Sequence, residues 1–138
     1  SFKLKSITNL SMPKSYKSNK RGNRKHVAIY EDMQVTEAWR TLKSSPRGLY
    51  VELKRRFTGG NNGQILLSYR DAASLLNASP NTVGRWFKEL ERRGFIVCMQ
   101  RHHLGPSGVG KTSHWRLTEL PTPDGKAATN EFRKWKAS

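Results

Sequence analysis

One stretch of the sequence matches a motif that carries chemistry. Residues Gly105–Thr112 (GPSGVGKT) have the spacing G-x-x-x-x-G-K-[ST], in which backbone amides and a lysine surround the phosphates of a nucleotide. That chemistry requires a helix beginning at the lysine, because the helix N-terminus holds the phosphates. Here His114–Thr118 follows instead and alternates as a strand does. We therefore predict that the glycines form a loop tip and that Lys111 does not hold a nucleotide.

Other reactive side chains form no recognisable catalytic or metal-binding pattern. Three histidines and the single cysteine have the ligand chemistry of a metal site: Cys98, His102, His103 and His114. Their spacing matches no zinc pattern, so we interpret them as solvated loop histidines and a core cysteine. The ten acidic residues suggest no paired-carboxylate or Ser-His-Asp arrangement. We expect no enzymatic activity, no cofactor and no metal.

A second set of side chains has the chemistry of base recognition. Val83, Phe87 and Leu90 recur at i, i+4 and i+7, which predicts a helix over about Pro80–Arg93 with this stripe facing inward. Arginine can bind guanine, and asparagine can bind adenine, through two hydrogen bonds. The face opposite the stripe is therefore predicted to contact bases through Asn81, Thr82, Arg85 and Lys88.

A shorter helix and a tight turn precede this helix. Ser68 has the chemistry of an N-cap for the shorter helix, and Ser79-Pro80 is a strong start signal for the longer one. Gly94 is predicted to end the longer helix in a left-handed conformation. Two helices joined in this way form a helix-turn-helix, whose second helix presents its N-terminal residues to base edges. Phosphate contacts are predicted here for Ser68, Tyr69, Arg70, Ser79 and Arg92.

The flanking elements predict a small sheet and a supporting helix. Ser45-Pro46 opens a helix whose apolar residues run to Phe57, with a polar face formed by Arg47, Glu52, Lys54 and Arg55. Apolar strands are predicted at 64–67, 95–99 and 114–118. The loop at 101–113 would be a wing that contacts phosphate through Arg101, His102, His103 and Lys111. This order predicts an α+β winged helix-turn-helix with a three-helix core and a small antiparallel β-sheet.

The composition favours a polyanionic partner. The 138 residues carry a formal net charge of +16, and such an excess attracts nucleic acid. No apolar run approaches the roughly 20 residues of a membrane span, and no signal peptide is visible. A single cysteine fits a reducing cytoplasm, so we expect a cytoplasmic, nucleoid-associated protein and no membrane partner.

Three segments are predicted along the chain. Every charged residue in 1–25 is Lys or Arg, so this segment is interpreted as a flexible basic arm, the alternative being an inert solvated terminus. Residues 26–120 form the domain, in which a short helix follows Thr36. Residues 121–138 form a tail with a short helix over Asn130–Trp135 (NEFRKW), whose Phe132 and Trp135 either dock back or meet a partner.

Several segments of the domain also have a familiar pattern: Leu49–Leu53, Asn62–Ile65, Leu67–Ala73, Ser79–Val83 and Lys88–Ile96. Over 46–120 the chain resembles the winged helix-turn-helix domains encoded by bacterial mobile elements, phages and plasmids. The resemblance implies the fold and duplex DNA binding, and both transcription regulators and replication initiators carry it. Gly84 and Trp86 depart from the small polar and small apolar residues expected at their positions.

The predicted function is sequence-specific binding of double-stranded DNA by a bacterial transcription regulator of a mobile element. A replication initiator or replisome-loading module is the first alternative, and a protein–protein adaptor is the second. RNA polymerase and replication proteins are further candidate partners. No long dimerisation helix is present, so we expect a monomer in solution or a dimer on DNA.

Overall fold

The computed structural model describes residues 24–100 and 113–137. The helices are α1 (Glu31–Gln34), α2 (Glu37–Arg40), α3 (Ser44–Arg55), α4 (Tyr69–Leu76), α5 (Pro80–Arg92) and a 3-10 helix (Glu131–Lys134). The strands are β1 (Ile65–Leu66), β2 (Ile96–Gln100) and β3 (His114–Leu117). The predicted α+β class with a small antiparallel sheet is confirmed, and the order of elements is compatible with a winged-helix layout.

Helices α3, α4 and α5 pack around one apolar core. The predicted stripe of α5 is confirmed, because Val83, Phe87 and Leu90 are fully buried. Both predicted N-caps form: the amide of Asp71 donates to Ser68 Oγ (3.0 Å), and the amide of Thr82 donates to Ser79 Oγ (3.2 Å). At the other end of α5, the predicted left-handed glycine is confirmed.

Gly94 has a φ of +86°, and a Cβ there would lie 2.9 Å from the backbone of Glu131. Only glycine therefore fits between the end of α5 and the C-terminal segment.

The three strands form an antiparallel sheet in the order β1-β3-β2. The central strand β3 covers the helices through Trp115, which is fully buried and stacks on Phe87 with ring centroids 4.9 Å apart. Asn62 joins the loop before β1 to β3. Its Nδ2 donates to the carbonyl of Leu117 (3.0 Å), and its Oδ1 accepts from the amide of Leu117 (2.7 Å). The first strand is shorter than predicted.

The polar face predicted for α3 is wrong at Lys54. Lys54 was expected in solvent but is buried, because Glu119 accepts from its Nζ (3.0 Å) and the carbonyl of Ala28 accepts as well (2.8 Å). Tyr50 donates to the same carboxylate of Glu119. Burial and this carboxylate raise the pKa of Tyr50 well above its usual value. Arg47 is half-buried and donates through Nη2 to the carbonyl of Trp39 (2.7 Å).

The N-terminal part of the domain contains an element that was not predicted. Helix α1 begins after Tyr30 and buries Met33 against the core. The short helix predicted after Thr36 is confirmed as α2, and the amide of Trp39 donates to Thr36 Oγ1 (3.3 Å). On α4, the apolar side chain of Leu75 is 45% exposed.

The segment predicted as a C-terminal tail packs on the domain. Phe132 is 1% exposed and stacks on Phe95 with ring centroids 5.1 Å apart. The amide of Asn130 donates to the carbonyl of Thr118 (2.8 Å), which extends the hydrogen bonding past the predicted boundary at residue 120. The predicted short helix is a 3-10 helix, and of the two alternatives its Phe132 docks back.

Two predicted segments fall mainly outside the described residues: the basic arm, described only from Arg24 onward, and the wing loop, of which 101–112 are not described. Among residues 24–100 and 113–137, no helix is long and apolar enough to cross a membrane.

Candidate nucleic-acid interface

The turn between α4 and α5 fixes how α5 is presented. Asn77 ends α4 with a φ of 55° and a ψ of 53°, a left-handed conformation that asparagine tolerates better than most residues. Two residues later Ser79 caps α5, and Pro80 occupies its first turn. The connection is therefore three residues long, which agrees with the predicted tight turn, and its geometry follows from local sequence.

Gly84 explains how closely the two helices approach. A Cβ at this position would lie 2.9 Å from the Tyr69 ring, which is closer than side chains normally pack. Tyr69 in turn stacks on Phe87 with ring centroids 4.9 Å apart. The departure from the expected residue at Gly84 is thus a packing requirement. Tyr69, predicted as a phosphate contact, has its ring within this packing.

The face of α5 opposite the core holds the side chains predicted to contact bases. Asn81, Arg85 and Lys88 are exposed, whereas Thr82 is half-buried at the edge of this face. The structure therefore brings the predicted set onto one side of a single helix that is held by its buried stripe.

Thr82 also orients its neighbours. Its Oγ1 accepts hydrogen bonds from Ser79 Oγ (3.0 Å) and from Arg85 Nη2 (3.3 Å). The guanidinium of Arg85 is thereby directed along the first turn of α5. Ser79, predicted as a phosphate contact, already uses its hydroxyl both as the cap and as a donor to Thr82.

Arg92 is exposed but already has a carboxylate partner. Its Nη2 and Nε donate to the two oxygens of Glu89 (2.8 and 3.1 Å). These hydrogen bonds, with those of Arg93, hold the pKa of Glu89 below its usual value despite partial burial. Any phosphate bound by Arg92 must therefore share it with Glu89 or replace Glu89.

Arg93 lies at the end of the same helix but points inward. Its side chain is 10% exposed. It donates through Nε to Glu89 (2.5 Å) and through Nη1 to the carbonyl of Ala38 (2.7 Å) and the hydroxyl of Thr41 (2.6 Å). Its guanidinium lies 4.1 Å from the centre of the Trp135 ring. Arg93 therefore joins α5 to α2 and to the C-terminal segment.

Of the remaining predicted phosphate contacts, two lie within the described residues and four do not. Ser68 accepts as the cap of α4, and Arg70, two residues further on, is exposed. Four predicted residues lie outside the described part of the chain: Arg101, His102, His103 and Lys111. Directly after them His114–Leu117 is strand β3, so a strand occupies the place where the nucleotide-binding motif requires a helix.

Sequence reasoning missed a groove beside α5. It has a volume of about 340 Å³ and lies between the start of α3 and one flank of α5, lined by Thr41, Lys43, Ser45, Pro46, Trp86, Glu89 and Arg93. The position of Trp86 on the flank of the predicted helix was the one available signal. No sequence signal pointed to Lys43, because its position beside α5 depends on how the helices pack.

Comparisons of the chain with protein-family models, with curated proteins and with solved structures found no match.

Proposed function

We propose that this chain is a sequence-specific DNA-binding protein that uses a winged helix-turn-helix to bind duplex DNA. The observation that supports this most directly is the exposed row of Asn81, Arg85 and Lys88 on a helix whose opposite side is fully buried. The helix is thus fixed in place while its donors stay available. A net charge of +16 supplies the attraction for a polyanion.

In this proposal α5 lies in the major groove, which is about 12 Å wide and admits one helix. Arg85 donates two hydrogen bonds to O6 and N7 of a guanine, and Asn81 pairs with the edge of an adenine. Lys88 contacts a further base one turn along. Thr82 accepts a hydrogen bond from the guanidinium of Arg85 and donates its own hydroxyl proton towards the bases.

Phosphate contacts position the helix without selecting sequence. Arg70 and the cap of α4 contact one DNA strand. The loop residues are proposed for the same task from sequence alone: Arg101, His102, His103 and Lys111. Arg92 exchanges part of its bond to Glu89 for a phosphate, so its contribution is smaller than that of an unpaired arginine.

The role proposed for this binding is transcription regulation of a bacterial mobile element. The experiment is selection of bound duplexes from a random pool, followed by measurement of affinity for the selected and for random sequences. We expect an enriched motif that includes a guanine and an affinity at least about 10³-fold tighter than for random duplex. Absence of an enriched motif would overturn the proposal. If the genomic copies of the enriched motif lay only at replication origins, replication initiation would replace transcription regulation as the proposed role.

A further inference from the structure

The groove beside α5 has no place in the function proposed so far. It is about 340 Å³ in volume, and its walls are the first turn of α3 and the flank of α5 that carries Trp86, Glu89 and Arg93. These three residues recur at i, i+3 and i+7, so they share one side of the helix. The groove is therefore continuous with the exposed face of α5.

The two flanks of α5 have different neighbours. On one flank the first turn of α4 approaches closely, since Tyr69 packs against Gly84. The groove and the start of α3 occupy the other flank. A helix in the major groove has a sugar–phosphate strand along each side. If α4 contacts one DNA strand, the groove faces the other DNA strand.

The lining of the groove fits a sugar–phosphate segment. Trp86 is half-buried and offers apolar surface to a deoxyribose beside the buried Pro46, and the exposed Ser45 and Lys43 offer a hydroxyl and an ammonium to a phosphate. Lys43 is exposed, and no carboxylate among the described residues pairs with it. Glu89 is the one acid of the lining, and its charge is offset by Arg92 and Arg93.

We propose that this groove binds the backbone of the DNA strand opposite the one that α4 contacts, with Lys43 on a phosphate and Trp86 against the adjoining sugar. The inference rests on the proposed function, because it assigns a second strand to the same interface. It adds α2–α3 residues to an interface that otherwise consists of α4, α5 and the loop.

The test compares Lys43→Gln with Arg55→Gln on the duplex selected above. Arg55 is an exposed cation 12 residues along from Lys43, at the far end of α3, about 18 Å away along the helix axis. Both changes remove one positive charge. We expect Lys43→Gln to lower affinity roughly fivefold at about 0.15 M salt and to reduce the salt slope by about one, as one lost phosphate contact does. Arg55→Gln should do neither.

Two further readouts separate a backbone contact from other effects. Lys43→Gln should leave the preference for the selected over random duplex unchanged, and Lys43→Arg should restore affinity. Phosphate ethylation should interfere with binding of the wild type on both strands, and Lys43→Gln should lose the interference on one strand only.

Each outcome decides something different. Binding of wild-type protein to no duplex overturns the proposed function and this inference together. If the wild type binds duplex but Lys43→Gln and Arg55→Gln weaken binding equally, the inference alone is overturned. The same holds if Lys43→Gln leaves binding unchanged, and in either case a protein partner becomes the candidate occupant of the groove. An unchanged melting temperature, expected for an exposed side chain, shows that Lys43→Gln remains folded.

Discussion

Arg85 is the residue on which the proposed base recognition depends most. It is exposed on α5 and bonded only to Thr82 among the described residues, so Arg85→Ala should change the free energy of unfolding by less than about 0.5 kcal/mol. If it binds a guanine, its loss should cost about 1–3 kcal/mol on the selected duplex and relax the preference at one base position. Melting curves and titrations with both duplexes measure this. Equal weakening on selected and random DNA would make Arg85 a phosphate contact.

Gly84 and Gly48 form a matched pair of helical glycines. In a helix, glycine to alanine normally stabilises by up to about 1 kcal/mol. Gly48→Ala should follow that rule, because its Cβ would meet only Leu76 at 3.7 Å. Gly84→Ala should instead destabilise, since its Cβ would lie 2.9 Å from a Tyr69 ring that is itself stacked on Phe87.

Denaturant titration of the two alanine variants compares them directly. Adding Tyr69→Leu to Gly84→Ala should recover part of the loss, because the leucine leaves room for the Cβ. Stabilisation by Gly84→Ala alone would show that the ring moves aside at little cost.

At the scale of elements, the C-terminal segment belongs to the packed domain. Phe132→Ala empties a fully buried position against Phe95 and should cost about 3–5 kcal/mol of unfolding free energy. Arg133→Ala on the same 3-10 helix is the control. Arg133 pairs with Asp32 near the surface, and such pairs contribute about 0–1 kcal/mol. Similar losses for both variants, measured in denaturant, would mean that Phe132 is not part of the core.

The elements that sequence predicted well are those specified locally. The bounds of α5 follow from Ser79-Pro80 at one end and Gly94 at the other, and its buried stripe follows from a spacing within 13 residues. The caps and the exposed donors of the candidate site follow from the same stretch. Such signals act over one or two helical turns, so a single sequence contains them.

The features that sequence missed depend on partners far along the chain. Lys54 is buried because Glu119, 65 residues away, accepts its charge. The choice between the two alternatives for Phe132, which sequence left open, depends on Gly94, which leaves room for the backbone of the C-terminal segment. The groove lined by Lys43 exists only once α3 and α5 are packed together. No periodicity or capping signal near these residues reports such contacts.

At the scale of the whole molecule, charge should govern affinity. The 26 Lys and Arg residues exceed the ten Asp and Glu residues, which gives the net charge of +16. Neutralising six or more phosphates should give a log–log salt slope near −5 or steeper, at about −0.9 per phosphate. Anisotropy titrations between about 0.05 and 0.3 M salt measure the slope. A value shallower than about −2 would mean that the basic surface does not bind the DNA.

The buried carboxylate of Glu119 has a consequence for folding rates. It accepts from Tyr50 and Lys54, which precede it by 69 and 65 residues, so these contacts close a loop of about half the chain. Joining the ends of such a long loop is entropically costly, so these contacts are expected to form late in folding, after the residues between them have packed. We therefore expect Glu119→Gln to accelerate unfolding far more than it slows refolding.

Stopped-flow measurement of both rates tests this, with Glu52→Gln as the control. Within residues 24–100 and 113–137, Glu52 pairs only with its near neighbours Arg55 and Arg56. A slowed refolding arm for Glu119→Gln would place the contact early in folding. On the expected result, this buried carboxylate determines how long each folded molecule persists rather than how quickly it forms.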